Sequence, residues 1–325
     1  MSGDVIVGIG DVEKRFGGSS GFLQSKAPTV KALNGVSLNI IEGETFCLVG
    51  ESGCGKSTLA RVVMGLDAPS AGTIHYRGKR IDDLSEKGRH PYRRKMQMIF
   101  QNPYSSLNPR MTVQQTLEEP VRFHMPELSD GEVRERAVRV MESVGNDPSW
   151  NNRFPHEFSG GQRQRISIAR ALMVDPEFVI ADEPVSALDV SIQAQVLNVL
   201  KDAREKHKLT YLFITHDLSV VEHFGTRVGV MYLGMLCEMA ETAELFRDAR
   251  HPYTQVLLDA IPRMDGSGLR RGRMSGEVPT AMNLPAGCVF HPRCPQASDR
   301  CRSVVPEIRR LEDGRLVACH HAESA

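Results

Sequence analysis

The strongest chemical signal in the chain is the run Gly50-Glu51-Ser52-Gly53-Cys54-Gly55-Lys56-Ser57-Thr58, which fits the phosphate-binding pattern G-x-x-x-x-G-K-[ST]. Glycines let the backbone curl until successive N–H groups point inward at an anion. A helix starting there adds the positive end of its dipole. Lys56 can reach terminal phosphates, and the Ser57 hydroxyl can ligate magnesium. The competing reading is a glycine-rich strand-to-helix turn with a chance lysine. The flanks argue against it: residues 44–49 read as a short buried strand and residues 59–64 as a helix.

Splitting a bound triphosphate needs charge neutralisation, magnesium and a positioned water rather than covalent chemistry. The apolar run Phe178-Val179-Ile180-Ala181 ends in Asp182-Glu183-Pro184. Asp182 is placed to hold magnesium. Glu183 is the natural general base for the attacking water. Gln101 follows the apolar strand 96–100, and its amide can ligate magnesium or orient water. His216 follows the apolar run 211–215 and could hydrogen-bond a γ-phosphate. Alone, the acidic pair would be a cap or a solvated pair, and the histidine a satisfied structural one. Their shared position at strand ends, the ligand-binding edge of an open α/β sheet, reverses that. In Phe158-Ser159-Gly160-Gly161-Gln162-Arg163-Gln164-Arg165, Ser-Gly-Gly opens a helix reaching about residue 173. This is a second anion-binding helix start, able to serve a nucleotide held by another subunit. The plain alternative is an N-cap with a glycine pair.

Positioning these groups takes strands alternating with helices, which argues for a mostly parallel sheet. Strands are expected at 4–9, 36–41, 72–78, 96–100, 178–181, 211–215, 228–232 and 236–239. Strand signals vanish from 104 to about 175, where 112–123 and 131–144 read as helices: a helical insertion. Helices are also expected at 190–206 and 252–261. A Gly/Ser-rich loop follows Phe16, whose ring could stack on a base or pack in a small core. From residue 262 the chain turns loop-like and contains Arg270-Arg271-Gly272-Arg273, so a domain boundary is placed there: 1–261, then 262–325.

The chain has 325 residues, and Lys+Arg and Asp+Glu balance at 40 each, so bulk charge points to no nucleic-acid partner. No apolar run reaches the ~18 residues of a membrane span. The first residues lack the basic flank and apolar core of a signal peptide, so a cytosolic protein is expected.

Together these motifs resemble the nucleotide-binding subunit of ABC transporters. Residues 50–58 look like the Walker A loop, Gln101 the Q-loop, and Ser159-Gly160-Gly161-Gln162 the signature. Residues 178–183 look like Walker B, Ser186-Ala187-Leu188-Asp189 the D-loop, and His216 the switch histidine. Phe158 stands where Leu is usual, and Phe16 maps onto an adenine-stacking aromatic that is more often Tyr. Ser106-Leu107-Asn108-Pro109, the run 182–191 and His251-Pro252-Tyr253-Thr254 are similar to dipeptide/oligopeptide importers, and the loop after Phe16 to the second ATPase of such systems. Nickel and glutathione importers share much of the pattern.

The resemblance implies a P-loop ATPase with a mixed, mostly parallel sheet, an antiparallel β subdomain and a helical insertion (about 102–175). It implies ATP and Mg2+ as ligands. Phe16, Gly50, Ser52, Gly53, Cys54, Gly55, Lys56, Ser57, Thr58, Ser159, Gly160, Gly161, Gln162 and Asp189 would bind ATP. Glu183, His216 and Gln101 would be catalytic, and Ser57, Gln101 and Asp182 would hold magnesium. It further implies a head-to-tail heterodimer with a homologous ATPase, two membrane permease subunits, an extracytoplasmic peptide-binding protein, and a place on the cytoplasmic face of the membrane. A DNA- or ribosome-acting ABC ATPase is disfavoured by one uninterrupted cassette without a heptad run. An intact Glu183 argues against a non-hydrolysing sensor.

Four of the seven cysteines, Cys288, Cys294, Cys301 and Cys319, fall in one stretch, with gaps of five, six and seventeen residues. By spacing alone, an iron–sulfur cluster, zinc and free thiols stand level, with disulfides last in a cytosolic chain. The peptide-importer resemblance implies a small C-terminal cysteine-rich module in which the four bind a 4Fe–4S cluster, with His291 as a structural neighbour.

Overall fold

Continuous apolar runs become strands buried on both faces here, and polar-patterned runs become helix faces or solvent-facing strands. The computed structural model describes residues 3–17, 29–261 and 279–322. The Gly/Ser-rich loop beyond Gly17 and the arginine-bearing stretch 270–273 lie outside the described residues. The chain divides into two units: Met1–Ile41 with Thr45–Asp83 and Thr215–Ala325, and Glu42–Glu44 with Leu84–Ile214.

The first unit holds a four-stranded antiparallel sheet in the order Val30–Ile41, Val5–Phe16, Ala71–Tyr76, Lys79–Arg80. The strand expected over 4–9 runs on to Phe16. A register shift between Ile9 and Val12 absorbs Asp11, which has φ +46° and whose N–H donates to Ser37 Oγ at 2.8 Å. A bulge thus lets pairing continue past a residue that breaks the strand pattern. The same unit pairs Thr45–Val49 in parallel with Arg227–Tyr232, which pairs antiparallel with Met235–Glu241. The short strands Leu316–Val317 and Arg309–Arg310 extend that edge. Thr45–Val49 is buried throughout, and its helix is Lys56–Val63.

In this unit His251 caps the helix Pro252–Asp259, its Nδ1 accepting the Tyr253 N–H at 3.0 Å. Burial lowers its pKa to about 4. The unfolded histidine titrates near ~6.5, so between the two values the unfolded chain takes up a proton that the folded chain refuses. Stability is therefore full above about pH 6.5 and falls as pH drops toward 4, by about 3 kcal/mol for such a shift. His251→Asn retains a capping acceptor. It is expected to flatten the fall in urea midpoint between about pH 7.5 and about pH 5. An unchanged slope would exclude His251 as its source.

The second unit carries three parallel strands, Met96–Ile99, Phe178–Asp182 and Thr210–Thr215, with Met96 opposite Phe178 and Asp182 opposite Ile214. Every described element between Ile99 and Phe178 is helical, chiefly Val113–His124, Asp130–Ser143 and Gly160–Leu172. Capping boxes at Thr112, Ser129 and Ser159 set their starts. The helix Glu86–Lys95 has no counterpart in the sequence reading. It buries no residue and carries Pro91, so it shows no apolar stripe; the Ser85 hydroxyl caps it.

Candidate nucleotide-binding site

The expected site residues divide between the units. Phe16, the loop 50–58, His216 and the four C-terminal cysteines belong to the first; Gln101, residues 159–162, Asp182, Glu183 and Asp189 belong to the second.

In the first unit the loop leaves the buried strand at Gly50, whose φ is +153°. A Cβ there would lie 2.1 Å from the Met231 carbonyl oxygen, and one on Gly55 (φ +106°) 2.4 Å from that of Ala32. Both positions therefore exclude a side chain by conformation and by space. Lys56 is buried, and its Nζ donates to the Gly50 carbonyl at 2.7 Å and the Glu51 carbonyl at 3.1 Å. Ser52, Gly53 and Ser57 are exposed, whereas Cys54 is buried. Burial pushes the Cys54 thiol up, against the opposing pull of the adjacent Lys56 ammonium. Cys54 thus packs the loop from within, its N–H donating to the Glu51 carbonyl at 3.2 Å and its carbonyl accepting the Gly234 N–H at 2.8 Å. Phe16 ends its strand 40% exposed, with the Lys14 ammonium 4.9 Å from the ring centroid. The ring is exposed rather than enclosed in a core. His216 is exposed just beyond Thr210–Thr215.

In the second unit Asp182 is buried at the end of its strand. Glu183 follows with φ +46°, a left-handed conformation unusual for a residue with a side chain. Its N–H donates to the Ile214 carbonyl at 2.9 Å, and Gln101 Nε2 donates to its Oε2 at 2.9 Å. The structure thus brings two sequence-expected residues, Gln101 and Glu183, into direct contact. Ser159 is exposed; its hydroxyl accepts the Gln162 N–H at 3.4 Å while Gln162 Oε1 accepts the Ser159 N–H at 2.9 Å. A Cβ on Gly161 would meet Ile192 Cγ2 at 2.3 Å, so the second glycine is needed where this helix packs on Val190–His207. Phe158 is buried, 5.2 Å from the Trp150 ring and 4.6 Å from the Arg153 guanidinium. That surround accommodates a larger side chain than Leu. Asp189 is exposed, and beside it Val190 is 82% exposed.

The first unit also shows what the sequence reading missed. The Arg293 guanidinium clasps the Glu51 carboxylate at 2.7 and 3.0 Å, across 242 residues of sequence. Tyr253 accepts the Glu51 N–H at 2.9 Å. The His-Pro-Tyr-Thr run was visible in the sequence, but nothing in it named Glu51 as its partner. None of the seven cysteines, all among the described residues, is in a disulfide. Cys288, Cys294, Cys301 and Cys319 lie close enough that each of the others helps to raise Cys294, which burial above all pushes to about 11. Among the described residues no three His, Cys, Asp or Glu side chains converge on one point as a single-ion site requires. The expected metal centre and the separate cysteine-rich module are therefore not supported as a preformed ion site. His291 Nδ1 lies 2.9 Å from the Cys288 carbonyl oxygen, which occupies that ring nitrogen within the loop. No described helix is long and apolar enough to cross a membrane.

The sequence matches the family model "ABC transporter" over residues 33–186 and "Oligopeptide/dipeptide transporter, C-terminal region" over residues 237–301. It is 52% identical to a putative oligopeptide transport ATP-binding protein, YkfD, of Bacillus subtilis, over 92% of each chain. It is 49% identical to the oligopeptide transport ATP-binding protein AppF of the same organism, over 98% of this chain and 97% of that one. It is also 49% identical to the dipeptide transport ATP-binding protein DppF of Escherichia coli, over 89% and 86%. A solved ATP-binding cassette dimer in a post-hydrolysis state with ADP and phosphate superposes with TM-score 0.65 at 31% identity, covering 73% of this chain and 98% of that one. With the phosphate loop and the Asp182–Glu183 strand end in the arrangements described, the chain belongs to the ATPases of the ABC transporter family, in the group carrying the oligopeptide/dipeptide transporter C-terminal region.

Proposed function

We propose that this chain is the ATP-hydrolysing subunit of an importer of dipeptides or oligopeptides, seated on the cytoplasmic face of the membrane. The observation that carries the reading is similarity to peptide-transport ATP-binding proteins along nearly the whole chain, including the C-terminal region. Lys56 and the loop residues Gly50, Ser52, Gly53, Cys54, Gly55, Ser57 and Thr58 hold the phosphates, and Phe16 stacks on the base. Ser57, Gln101 and Asp182 would hold magnesium, which supplies charge neutralisation at the phosphates. Glu183 accepts the proton of the attacking water, and Gln101, its hydrogen-bond partner, orients that carboxylate. His216 contacts the γ-phosphate. The exposed Ser159, Asp189 and Val190 suit a second, homologous ATP-binding subunit, with Ser159, Gly160, Gly161 and Gln162 lent to that partner's nucleotide. Two permease subunits and an extracytoplasmic peptide-binding protein complete the assembly. ATP can favour the closed dimer only because both halves touch it.

We read the four C-terminal cysteines, Cys288, Cys294, Cys301 and Cys319, as ligands of a 4Fe–4S cluster: none is in a disulfide, they share one unit, and Cys294 lies near enough to the other three to feel their charge. The cluster would supply cross-linking by thiolate ligation. The region from 262 onward is read as the importer-specific extension. One preparation tests both readings: the complex co-expressed with its neighbouring permease and ATPase genes, purified without oxygen and placed in vesicles. Peptide-stimulated ATP hydrolysis and stoichiometric iron with acid-labile sulfide are expected. Stimulation by nickel or glutathione alone overturns the peptide cargo, and absence of iron and sulfide overturns the cluster.

A further inference from the structure

We propose that Arg293 is a positioning residue for nucleotide binding, acting through Glu51 to keep a carboxylate from opposing the phosphates. The inference rests on reading residues 50–58 as the phosphate loop. Position 51 is one of the unconstrained places in the loop pattern. A glutamate there sets a negative charge inside a segment built to receive an anion. Arg293 answers it with the fork geometry that matches a carboxylate, Nη1 to Oε2 at 2.7 Å and Nη2 to Oε1 at 3.0 Å. Arg293 is buried, and its Nη1 also lies 3.3 Å from the Tyr232 hydroxyl, so the fork is held from behind.

The rest of Glu51 is equally constrained. Its N–H goes to Tyr253, and its carbonyl accepts from Lys56 Nζ at 3.1 Å and from the Cys54 N–H at 3.2 Å. Phe290 sits among the same groups, 5.3 Å from both the Tyr232 and Tyr253 rings, and fixes the loop that carries Arg293. Side chain, N–H and carbonyl of one loop residue are therefore fixed by three different parts of the chain. Without Arg293 the carboxylate is free to turn toward the Lys56 ammonium or toward the phosphates. Either movement weakens a nucleotide's hold. Arg293 stands between Cys288 and Cys294, so the same short segment that carries two of the thiols neutralises the phosphate loop.

The test is a charge cycle on the full chain, read by equilibrium binding of a fluorescent ATP analogue and by ATP turnover. Arg293→Met is expected to weaken binding by roughly 5–150-fold, the usual range of coupling between sites, with turnover at saturating ATP nearly unchanged. Adding Glu51→Gln to that variant should restore most of the affinity. Arg293→Lys, which keeps the charge but loses the fork, should fall between. A purely structural role would instead lower the urea midpoint of Arg293→Met in step with its affinity, so denaturation is measured beside binding: lost affinity at an unchanged midpoint marks positioning. If Arg293→Met does not fold, Arg293→Lys decides: several-fold weaker binding supports the proposal, and binding equal to wild type overturns it. Equal binding by wild type and Arg293→Met overturns it, as does failure of Glu51→Gln to rescue. A wild-type chain that binds no nucleotide instead overturns the reading of the loop itself.

Discussion

Replacing Glu183 with Gln is expected to slow ATP turnover by roughly two to four powers of ten while leaving nucleotide affinity nearly unchanged. Gln is isosteric and keeps an acceptor for the Gln101 amide that now donates to Glu183 Oε2 at 2.9 Å. What it loses is basicity: an amide cannot take the proton of an attacking water. The strained backbone at Glu183, with φ +46°, is anchored by its N–H bond to Ile214, so the substitution changes the group without releasing the turn. Phosphate release measured beside ATP-analogue binding separates the two effects. Turnover within a few-fold of wild type would remove Glu183 from the role proposed for it, and lost binding would show that it holds the nucleotide instead.

Arg315→Met is expected to destabilise the chain by about 3–5 kcal/mol, because it strands a buried charge. Arg315 and Glu238 are both almost fully removed from water, with Nη1 3.4 Å from Oε1. Glu238 also accepts the backbone N–H groups of Arg250 at 2.8 Å and His251 at 3.0 Å. Those two bonds soften the loss and place the cost at the lower end. The double change Arg315→Met with Glu238→Gln should recover much of the stability, since it removes the unpaired carboxylate as well as the cation. Chemical denaturation of the three proteins measures this. A single variant as stable as wild type would mean that Glu238 is satisfied by the backbone alone.

The local half of this molecule was legible because its signals are short in range. Thr45–Val49, Phe178–Asp182 and Thr210–Thr215 hold apolar runs closed by glycine, acid and histidine in turn, and each is a buried strand. The loop 50–58 announces itself through glycines that positive φ values explain at Gly50, Gly53 and Gly55, with lack of space added at Gly50 and Gly55. Gln101 and Glu183, expected for separate reasons, meet in one hydrogen bond. The hidden half is what joins distant sequence. Glu51 occupies a place where any residue fits the pattern, and no periodicity links it to Arg293. Glu86–Lys95 escaped because a helix that buries nothing leaves no stripe to read. The cysteines show the opposite limit: their types were plain, but spacing alone could not say what, if anything, they converge on.

The clasp between Glu51 and Arg293 also sets a timetable for biosynthesis. Residue 51 leaves the ribosome long before residue 293, and at about 5–20 residues per second the delay is tens of seconds or less. Until then the loop carries an unanswered carboxylate, and the Tyr232–Tyr253–Phe290 cluster lacks its last ring. Arg315, later still, completes the pair with Glu238. The phosphate loop, translated early, is thus among the last parts of the nucleotide site to be finished. A nascent chain that stops before residue 293 is left with the Glu51 carboxylate of its phosphate loop unanswered.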